Sequence, residues 1–143
     1  MVIDSFRGEN YFLSNFYICE FVYDGIKYSS TEAAFQGQKF LDRTEQIKIS
    51  QMTPREAKNY PRKKKTREDW FDVSLQVMHD VVYAKFSQNP DLKAKLIATG
   101  DAELIEGNTW NDVFWGVCNG KGENQLGKTL MKVREELKSE NDH

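Results

Sequence analysis

The sequence predicts a single α+β domain over residues 1–143, mostly helical and with a small β-sheet. Three observations predict this class. A hairpin signal, Asp24-Gly25, lies between two short runs of strand-forming residues. Apolar residues recur at helical spacing in several stretches, of which the longest runs from Glu68 to Ser87. The length of 143 residues suits one domain with one ordinary core.

Composition excludes several classes of protein. With 39% hydrophobic and 29% charged residues, the chain is expected to fold as a globular protein rather than stay disordered. A net charge of −2 gives no general attraction to nucleic acid. No apolar run approaches the roughly 18 residues that span a bilayer, and the N-terminus lacks a signal-peptide pattern. Cys19 and Cys118 make no disulfide framework. We therefore expect a cytoplasmic chain without a membrane partner.

The N-terminal half predicts a strand, an aromatic loop, a hairpin and three helices. In chain order these are a strand at Met1–Asp4, the loop at 6–17, strands at Ile18–Tyr23 and Ile26–Tyr28, and helices at Ser30–Leu41, Thr44–Met52 and from Thr53 to Pro61. Ser29 with Glu32 fits a capping box at the start of the first helix. Thr53 with Glu56 fits another, in which Pro54 takes the first helical position.

The C-terminal half predicts three helices and two short strands. They are helices at Glu68–Ser87, from Asn89-Pro90 to about Ala98 and at Glu123–Lys138, and strands at Glu103–Glu106 and Val113–Val117. The apolar stripe of the first of these helices is expected to be core: Phe71, Leu75, Met78, Val82 and Phe86.

The glycine-rich segment before the last helix is a candidate phosphate site. Glycine lets a backbone approach a ligand closely, and a helix beginning after it presents N–H groups and a positive dipole end. We expect N–H groups near Gly120–Gly127 and the basic loop Arg62–Arg67 to hold a phosphate, although such a basic run is usually only solvated.

A P-loop is excluded although its motif is present. Gly122, Gly127, Lys128 and Thr129 fit G-x-x-x-x-G-K-[ST]. Only 14 residues follow Thr129, however, which is too few for the crossover and strand of a parallel-sheet domain. Lys128 and Thr129 are therefore predicted to lie in the first turns of the terminal helix.

No metal site is expected, because His79 and His143 are the only histidines and no Cys or His cluster has ligand spacing. A nucleophilic pair of Cys118 with His79 has no local support.

Glu32, Gln36 and Lys39 are the main chemical candidates. Their spacing of i, i+4 and i+7 puts them on one helical face, where a carboxylate beside an amine suits proton transfer. Glu32 equally fits a helix cap, and a lone lysine is most often solvated.

The aromatic candidates are open to two interpretations in the same way. Trp110 and Trp115 bracket Asp112 and fit either stacking faces for a flat ring or core residues. Asp112 fits a turn cap as well as a site residue, and Trp70 fits the core.

Together and in this order, these pieces resemble the NADAR family, also called YbiA-like or DUF1768. The matching blocks are FLSNFY at 12–17, YSSTEAAFQGQKF at 28–40, Trp70, ATGDAELIE at 98–106, NDVFWG at 111–116 and GKGENQLGKTLMKVR at 120–134. The chain departs from the family at Ala33 and Ala34, where His-Tyr is common, and at Asn119, where Asp is common.

The resemblance implies the YbiA-like fold and an N-glycosidase that needs no cofactor. The implied substrates are phosphorylated ribosylamino-pyrimidines of riboflavin synthesis and ADP-ribosylated guanine, free or in nucleic acid, with no stable protein partner. The implied catalytic residues are Glu32, Lys39 and Asp112. The implied substrate-binding residues are Gln36, Trp70, Trp110, Trp115 and Asn124.

Both substrates join ribose C1 to an exocyclic nitrogen, and Lys39 is the amine expected to form a Schiff base with the sugar. The alternative is a non-catalytic module that binds ADP-ribose or NAD, which would not need a carboxylate–amine pair.

Overall fold

A computed structural model describes residues 1–141 and contains two compact units. The first comprises residues 1–14 and the chain from Asn89 onward, and the second comprises Asn15–Gln88. Helices dominate and the strands are short, so the predicted α+β class is confirmed. The prediction of one domain over 1–143 stays a prediction.

The second unit begins with the predicted hairpin. Strand β2, Phe21–Tyr23, pairs antiparallel with β3, Ile26–Tyr28. Asp24 and Gly25 both have positive φ, 49° and 81°, as the two central residues of a type I′ turn require. Pairing begins at Phe21 rather than at Ile18, so the predicted strand was three residues too long.

Four helices complete the second unit. They are α1 at Thr31–Gly37, α2 at Arg43–Ser50, α3 at Pro54–Asn59 and α4 at Trp70–Gln88, with a 3-10 helix at Tyr60–Lys63 after α3. Helix α1 packs against the other three, and α4 also packs on β2. The buried side chains at these contacts include Phe35, Ile49, Ala57, Met78, Val81 and Phe86.

One predicted cap is confirmed and the other is wrong by one residue. Thr53 and Glu56 form the capping box, with N···O distances of 2.9 and 3.2 Å. At α1, however, the hydroxyl of Ser30 accepts the Ala33 N–H at 3.0 Å. Glu32 is therefore the second residue of the helix, and its carboxylate does not close a capping box.

Helix α4 buries the later part of the predicted stripe, Met78, Val82 and Phe86, but not its beginning. Phe71 is 86% exposed and Leu75 is 44% exposed, so placing them in the core was wrong. The buried face of the helix begins at Ser74 and continues through Met78 and Val81. The buried face is thus rotated by about one residue at the start of α4, and Phe71 lies outside it.

The first unit consists of two helices around a two-stranded parallel pair. Its elements are β1 at Val2–Ile3, a 3-10 helix at Gly8–Leu13, α5 at Pro90–Ala98, β4 at Glu103–Leu104 and α6 at Gln125–Asn141. Strand β1 pairs with β4, while α6 packs on α5 and β4. The buried core includes Leu92, Leu96, Leu104, Leu130, Val133 and Leu137.

Residues 113–117 form no strand, which corrects the prediction. Only an isolated bridge joins Gly107 to Val117. The N–H groups of Phe114 and Trp115 donate to the Asp112 side chain and are therefore not available to a ladder. Helix α6 also begins two residues later than predicted, because Asn124 has a φ of 54°, which is not helical.

Within residues 1–141, the structure contains no helix that has both the length and the apolar character to span a membrane.

A buried lysine lies in the second unit and was not anticipated from the sequence. Lys85 is 1% exposed, and its Nζ lies 5.5 Å from the ring centroid of Tyr17 and 4.9 Å from that of Phe86. Burial lowers the pKa of Lys85 from 10.5 to about 8, against the opposing effect of Cys19.

This lysine makes folding stability depend on pH. Above about pH 8 the folded state releases the proton of Lys85 while the unfolded state keeps it until its own, higher pKa. The unfolded state then binds more protons, so stability rises with pH. We expect a gain on the order of 2 kcal/mol between about pH 7 and pH 9.5, measured by urea unfolding.

Lys85→Met is the matched variant and should lose the part of this rise that comes from Lys85, while Lys39, whose pKa burial also lowers, contributes in the same direction in both proteins. Tyr28, whose pKa burial raises to about 12, acts in the opposite direction above about pH 10 and is common to both proteins. If the two proteins showed the same change in stability over this pH range, the buried ammonium would not be its source.

Candidate active site

The buried face of α1 carries two of the predicted site residues. Glu32 and Gln36 are 8% and 6% exposed, and Gln36 Nε2 donates to Glu32 Oε1 at 3.1 Å. Gln36 Oε1 is buried and has no hydrogen-bond partner within residues 1–141. A buried acceptor without a donor is costly, so this atom is suited to receive a hydrogen bond from a ligand.

Asn15 anchors the start of α1. Its carbonyl accepts the Glu32 N–H at 3.0 Å, and its side-chain oxygen accepts the Thr31 hydroxyl at 2.9 Å. These bonds satisfy N–H and hydroxyl groups of the first turn, which has no earlier turn to bond to. They fix the backbone that carries the Glu32 carboxylate.

Lys39 follows α1 rather than lying in it. The helix ends at Gly37, and the Lys39 N–H donates to the Gln36 carbonyl at 3.1 Å in a tight turn. Burial lowers the pKa of Lys39, the Glu32 carboxylate raises it and the Arg62 guanidinium lowers it, with a net downward shift. The amine thus lies within the electrostatic reach of the predicted carboxylate.

The Trp70 ring lies beside the amine of Lys39. Lys39 Nζ lies 5.7 Å from the Trp70 ring centroid, a cation–π distance. The Trp70 ring also meets Phe35 edge to face, with centroids 5.0 Å apart. Glu32, Gln36, Lys39 and Trp70 are therefore brought together within the second unit.

The basic loop is only partly available to a ligand. The Arg67 N–H donates to the Lys39 carbonyl at 2.8 Å, and its guanidinium binds Asp69 at 2.6 and 2.9 Å. Lys64 Nζ lies 4.7 Å from the ring centroid of Tyr60. Arg62 and Lys63 are exposed. Arg62 is the cation of this loop whose field reaches Lys39.

Asp112 organises the loop that contains it. Its Oδ1 accepts N–H groups of Phe114 at 3.2 Å and Trp115 at 2.9 Å. Its own N–H donates to Asn108 Oδ1 at 3.1 Å, and its carbonyl accepts from Asn108 Nδ2 at 2.9 Å. Asp112 therefore caps a turn, the structural one of its two predicted interpretations.

The other three predicted residues of the first unit lie in the same segment. Trp110 is 54% exposed. The Trp115 ring meets Phe114 edge to face at 4.9 Å. Asn124 is buried, with its Oδ1 accepting from the Glu106 N–H and its Nδ2 donating to the Leu104 carbonyl, both at 2.9 Å. Both polar atoms of the Asn124 side chain are thus engaged within the protein.

The expected phosphate site at the start of α6 is wrong. The N–H groups of residues 123–126 all donate to carbonyls of residues 113–116, at 2.7 to 3.3 Å. Thr129 Oγ1 donates to the Gln125 carbonyl at 2.8 Å, and a Cβ added at Gly127 would collide with the Leu104 carbonyl. These groups brace α6 against its neighbours, in keeping with the rejection of a P-loop.

Residues 1–141 contain no group of three His, Cys, Asp or Glu side chains placed to hold a metal ion. His79 lies on α4, 3.0 Å from Asp80 Oδ1. His143 lies outside the described residues.

Two residues that shape this cluster were not singled out from the sequence. Asn15 belongs to the quoted FLSNFY block, but its contact with α1 spans 16 residues and is not a local signal. Arg62 was treated only as one member of a basic run, and its effect on Lys39 depends on the fold.

Comparisons with known proteins agree on one family. A family model described as the NADAR domain matches residues 5–138, which include parts of both units. A relative named N-glycosidase YbiA, from Escherichia coli, is 41% identical over 128 residues, which are 87% of this chain and 79% of the relative.

A second relative is much longer than this chain. A riboflavin biosynthesis protein of Vibrio vulnificus is 41% identical over 132 residues, which cover 88% of this chain and 35% of that protein. Among solved structures, the NMR structure of the E. coli protein YbiA matches with a TM-score of 0.85 and 37% identity. The match covers 99% of this chain and 86% of that one.

Proposed function

This chain belongs to the NADAR domain family and is an N-glycosidase of that family, and we propose that it hydrolyses the bond between ribose C1 and an exocyclic amine. The observation that carries this proposal is the cluster of Lys39, Glu32, Gln36 and Trp70. An amine whose pKa burial lowers stands within the field of a buried carboxylate. Binding alone would not require this pair, which disfavours a non-catalytic module that binds ADP-ribose or NAD.

The reaction begins with opening of the sugar ring. The exocyclic nitrogen expels the ring oxygen, which takes a proton, and C1 becomes an iminium carbon. The neutral amine of Lys39 adds to C1, and a proton passes from the attacking nitrogen to the departing one. The base leaves as a neutral amine, and C1 is then joined to Lys39 as a Schiff base.

Water completes the cycle. It adds to C1 of the Schiff base, the C1–Nζ bond breaks, and the sugar leaves as an aldehyde that can close again to a ring. Glu32 moves the protons in both halves, since its carboxylate can accept from the attacking group and donate to the departing one. Gln36, which orients Glu32, uses its unpartnered Oε1 to accept a hydrogen bond from the sugar.

The resemblance also implies roles for four residues of the first unit, and these roles stay predictions. For Asp112 the implied role is to bind ribose hydroxyls or to assist proton transfer, in addition to the turn cap that its Oδ1 forms with two N–H groups. For Trp110 and Trp115 the implied role is to stack on the base, and the exposure of Trp110 is compatible with that role. Asn124 acts by holding the loop, because its side-chain amide is engaged with the backbone.

Two substrates share the required bond. They are phosphorylated ribosylamino-pyrimidines, which the name of the Vibrio relative favours, and ADP-ribosylated guanine, free or in nucleic acid. The test is to incubate the protein with each and to measure release of the free sugar. Release from at least one supports the proposal. Tight binding of both without release would favour the non-catalytic module.

The charge of Arg62 is predicted to affect the pH dependence of catalysis. Its positive charge lowers the pKa of Lys39, so Arg62→Gln should raise that pKa. Because the neutral amine is the nucleophile, the low-pH limb of kcat/KM should move to higher pH. If Arg62 also binds the substrate phosphate, KM should rise more than kcat falls.

Lys63→Gln is the matched control for this prediction. Lys63 is exposed in the same loop, whereas the charges that shift the pKa of Lys39 are those of Glu32 and Arg62. The pH profile of Lys63→Gln should match that of the wild type. An unshifted profile in Arg62→Gln would mean that Arg62 does not tune the nucleophile.

A further inference from the structure

The turn that carries Lys39 receives hydrogen bonds from a distant loop. Because α1 ends at Gly37, the carbonyls that follow it need donors from outside the helix. Arg67 supplies two of them. Its backbone N–H donates to the Lys39 carbonyl at 2.8 Å, and its Nη1 donates to the Gln38 carbonyl at the longer distance of 3.5 Å. A cation is also favourable at the C-terminal end of a helix. Arg67 therefore holds the backbone from which the amine of Lys39 extends.

The same guanidinium forms a bidentate ion pair with Asp69. Arg67 Nε donates to Asp69 Oδ1 at 2.6 Å, and Nη2 donates to Oδ2 at 2.9 Å. Two parallel bonds of this kind fix the relative orientation of both groups. The two side chains are 21% and 51% exposed, and an ion pair this open to water contributes little to global stability. We therefore expect its effect in local geometry rather than in the free energy of unfolding.

Asp69 connects this ion pair to the start of α4. Its carbonyl accepts the N–H groups of Asp72 at 3.0 Å and Val73 at 3.2 Å, which belong to the first turn of the helix. Trp70 directly follows Asp69 and is the first residue of α4. The position of Asp69 therefore affects where the Trp70 ring lies, and this ring is 5.7 Å from Lys39 Nζ.

Arg67 thus bonds to both segments that meet at the amine. It holds the turn of Lys39 through that residue's carbonyl, and it holds the residue before Trp70 through the ion pair. We propose that Arg67 and Asp69 are positioning residues, whose ion pair holds the Lys39 amine beside the Trp70 ring in the place from which it attacks the sugar. This role rests on the proposed function, because it assigns the ion pair a task in that reaction.

A phosphate contact is the other role that a cation of the basic loop could have. The Asp69 carboxylate occupies the edge of the Arg67 guanidinium with which a phosphate would form paired bonds. The two roles also differ in their kinetics. Loss of a phosphate contact raises KM more than it lowers kcat. A nucleophile displaced by about 1 Å instead lowers the rate of the chemical step, by up to about 10².

Asp69→Asn and Arg67→Gln test this role by kinetics. Asparagine keeps the backbone carbonyl that begins α4 and is itself a good residue before a helix, so only the ion pair is removed. Each variant should lower kcat about tenfold or more with KM within about twofold of the wild type. The double variant should lose no more than the worse single variant, because both changes break the same interaction. A thermal melt checks that each variant is folded.

Asp24→Asn is the matched control. Asp24 forms an exposed ion pair with Arg43 at 3.0 Å in the same unit, and neither residue belongs to the catalytic cluster. Asparagine suits the positive φ that this turn position requires. The control should therefore keep kcat within about twofold of the wild type.

The pKa of Lys39 tests the position of the amine without any substrate. Burial is the largest cause that lowers this pKa, and the charges that act on it are those of Glu32 and Arg62. When Asp69→Asn loosens the turn and admits water, the pKa of Lys39 should rise towards its ordinary value of 10.5. Loss of a negative charge that acted directly on the amine would lower the pKa instead. The pH dependence of Lys39 acylation, followed by peptide mapping, measures this pKa.

Three outcomes would overturn the positioning role. They are an unchanged or lowered pKa of Lys39 in Asp69→Asn, a rise in KM without a fall in kcat, and losses that add in the double variant. Failure of the proposed function gives a different result. In that case the wild type cleaves neither substrate, while the pKa of Lys39 still rises in Asp69→Asn and not in Asp24→Asn, so the ion pair still positions the amine.

Discussion

Lys39→Arg is expected to abolish turnover while leaving ligand binding largely intact. Arginine keeps a positive charge over the Trp70 ring, where Lys39 Nζ lies 5.7 Å from the centroid. It stays protonated in proteins, however, and has no neutral amine to attack C1. Single-turnover rates and the affinity for a product sugar phosphate measure the two effects separately.

Lys63→Arg makes the same exchange at an exposed position of the basic loop and should leave kcat unchanged. If Lys39→Arg turned over at the wild-type rate, the lysine would be structural. An ordinary hydrolysis assisted by Glu32 would then be the better account.

Glu32→Gln should lower the rate by roughly 10² to 10⁴, the usual effect of losing a positioned acid–base group. The amide oxygen of the new side chain can still accept from Gln36 Nε2, so the geometry of α1 is kept. What is lost is the ability to take up and release a proton. Steady-state kcat and kcat/KM, with a thermal melt as a folding check, measure this effect.

Glu56→Gln is the matched control, because Glu56 is exposed in the capping box of α3 and outside the catalytic cluster. It should change kcat by less than about twofold, because an exposed surface substitution seldom matters beyond its own contact. A rate loss at Glu32→Gln no larger than that of this control would remove Glu32 from the chemistry.

Local sequence signals predicted the elements whose cause is local. The Asp24-Gly25 turn needs two residues of positive φ, and this pair supplies them. The Thr53–Glu56 capping box uses only residues three apart. Helices α2 and α5 likewise agree with the prediction to within two residues at each end.

Features set by distant contacts were not predictable in this way. Ser29 and Ser30 are equal as caps in sequence, and the structure uses Ser30, in a helix whose start is bonded to Asn15. The rotated face of α4 depends on where α1 and β2 pack. The apolar spacing of Phe71 and Leu75 could not reveal that they lie outside that contact.

The candidate site also contains one feature that local spacing predicts and one that depends on distant contacts. The spacing of Glu32, Gln36 and Lys39 placed them on one face, although α1 ends before Lys39. By contrast, the glycine-rich segment fits a phosphate site in sequence, yet its N–H groups are used by carbonyls of residues 113–116. The fold of that loop decides which N–H groups remain available to a ligand. The glycine pattern of the sequence does not reveal that fold.

Borohydride trapping tests the central claim most directly. The protein is incubated with substrate in the presence of borohydride, which reduces a Schiff base to a stable secondary amine, and intact mass and peptide mapping follow. The proposed mechanism predicts a sugar-sized adduct on Lys39, present in the wild type and absent in Lys39→Arg. Substrate cleavage by the wild type with no adduct on Lys39, or with the adduct on another lysine, would contradict it.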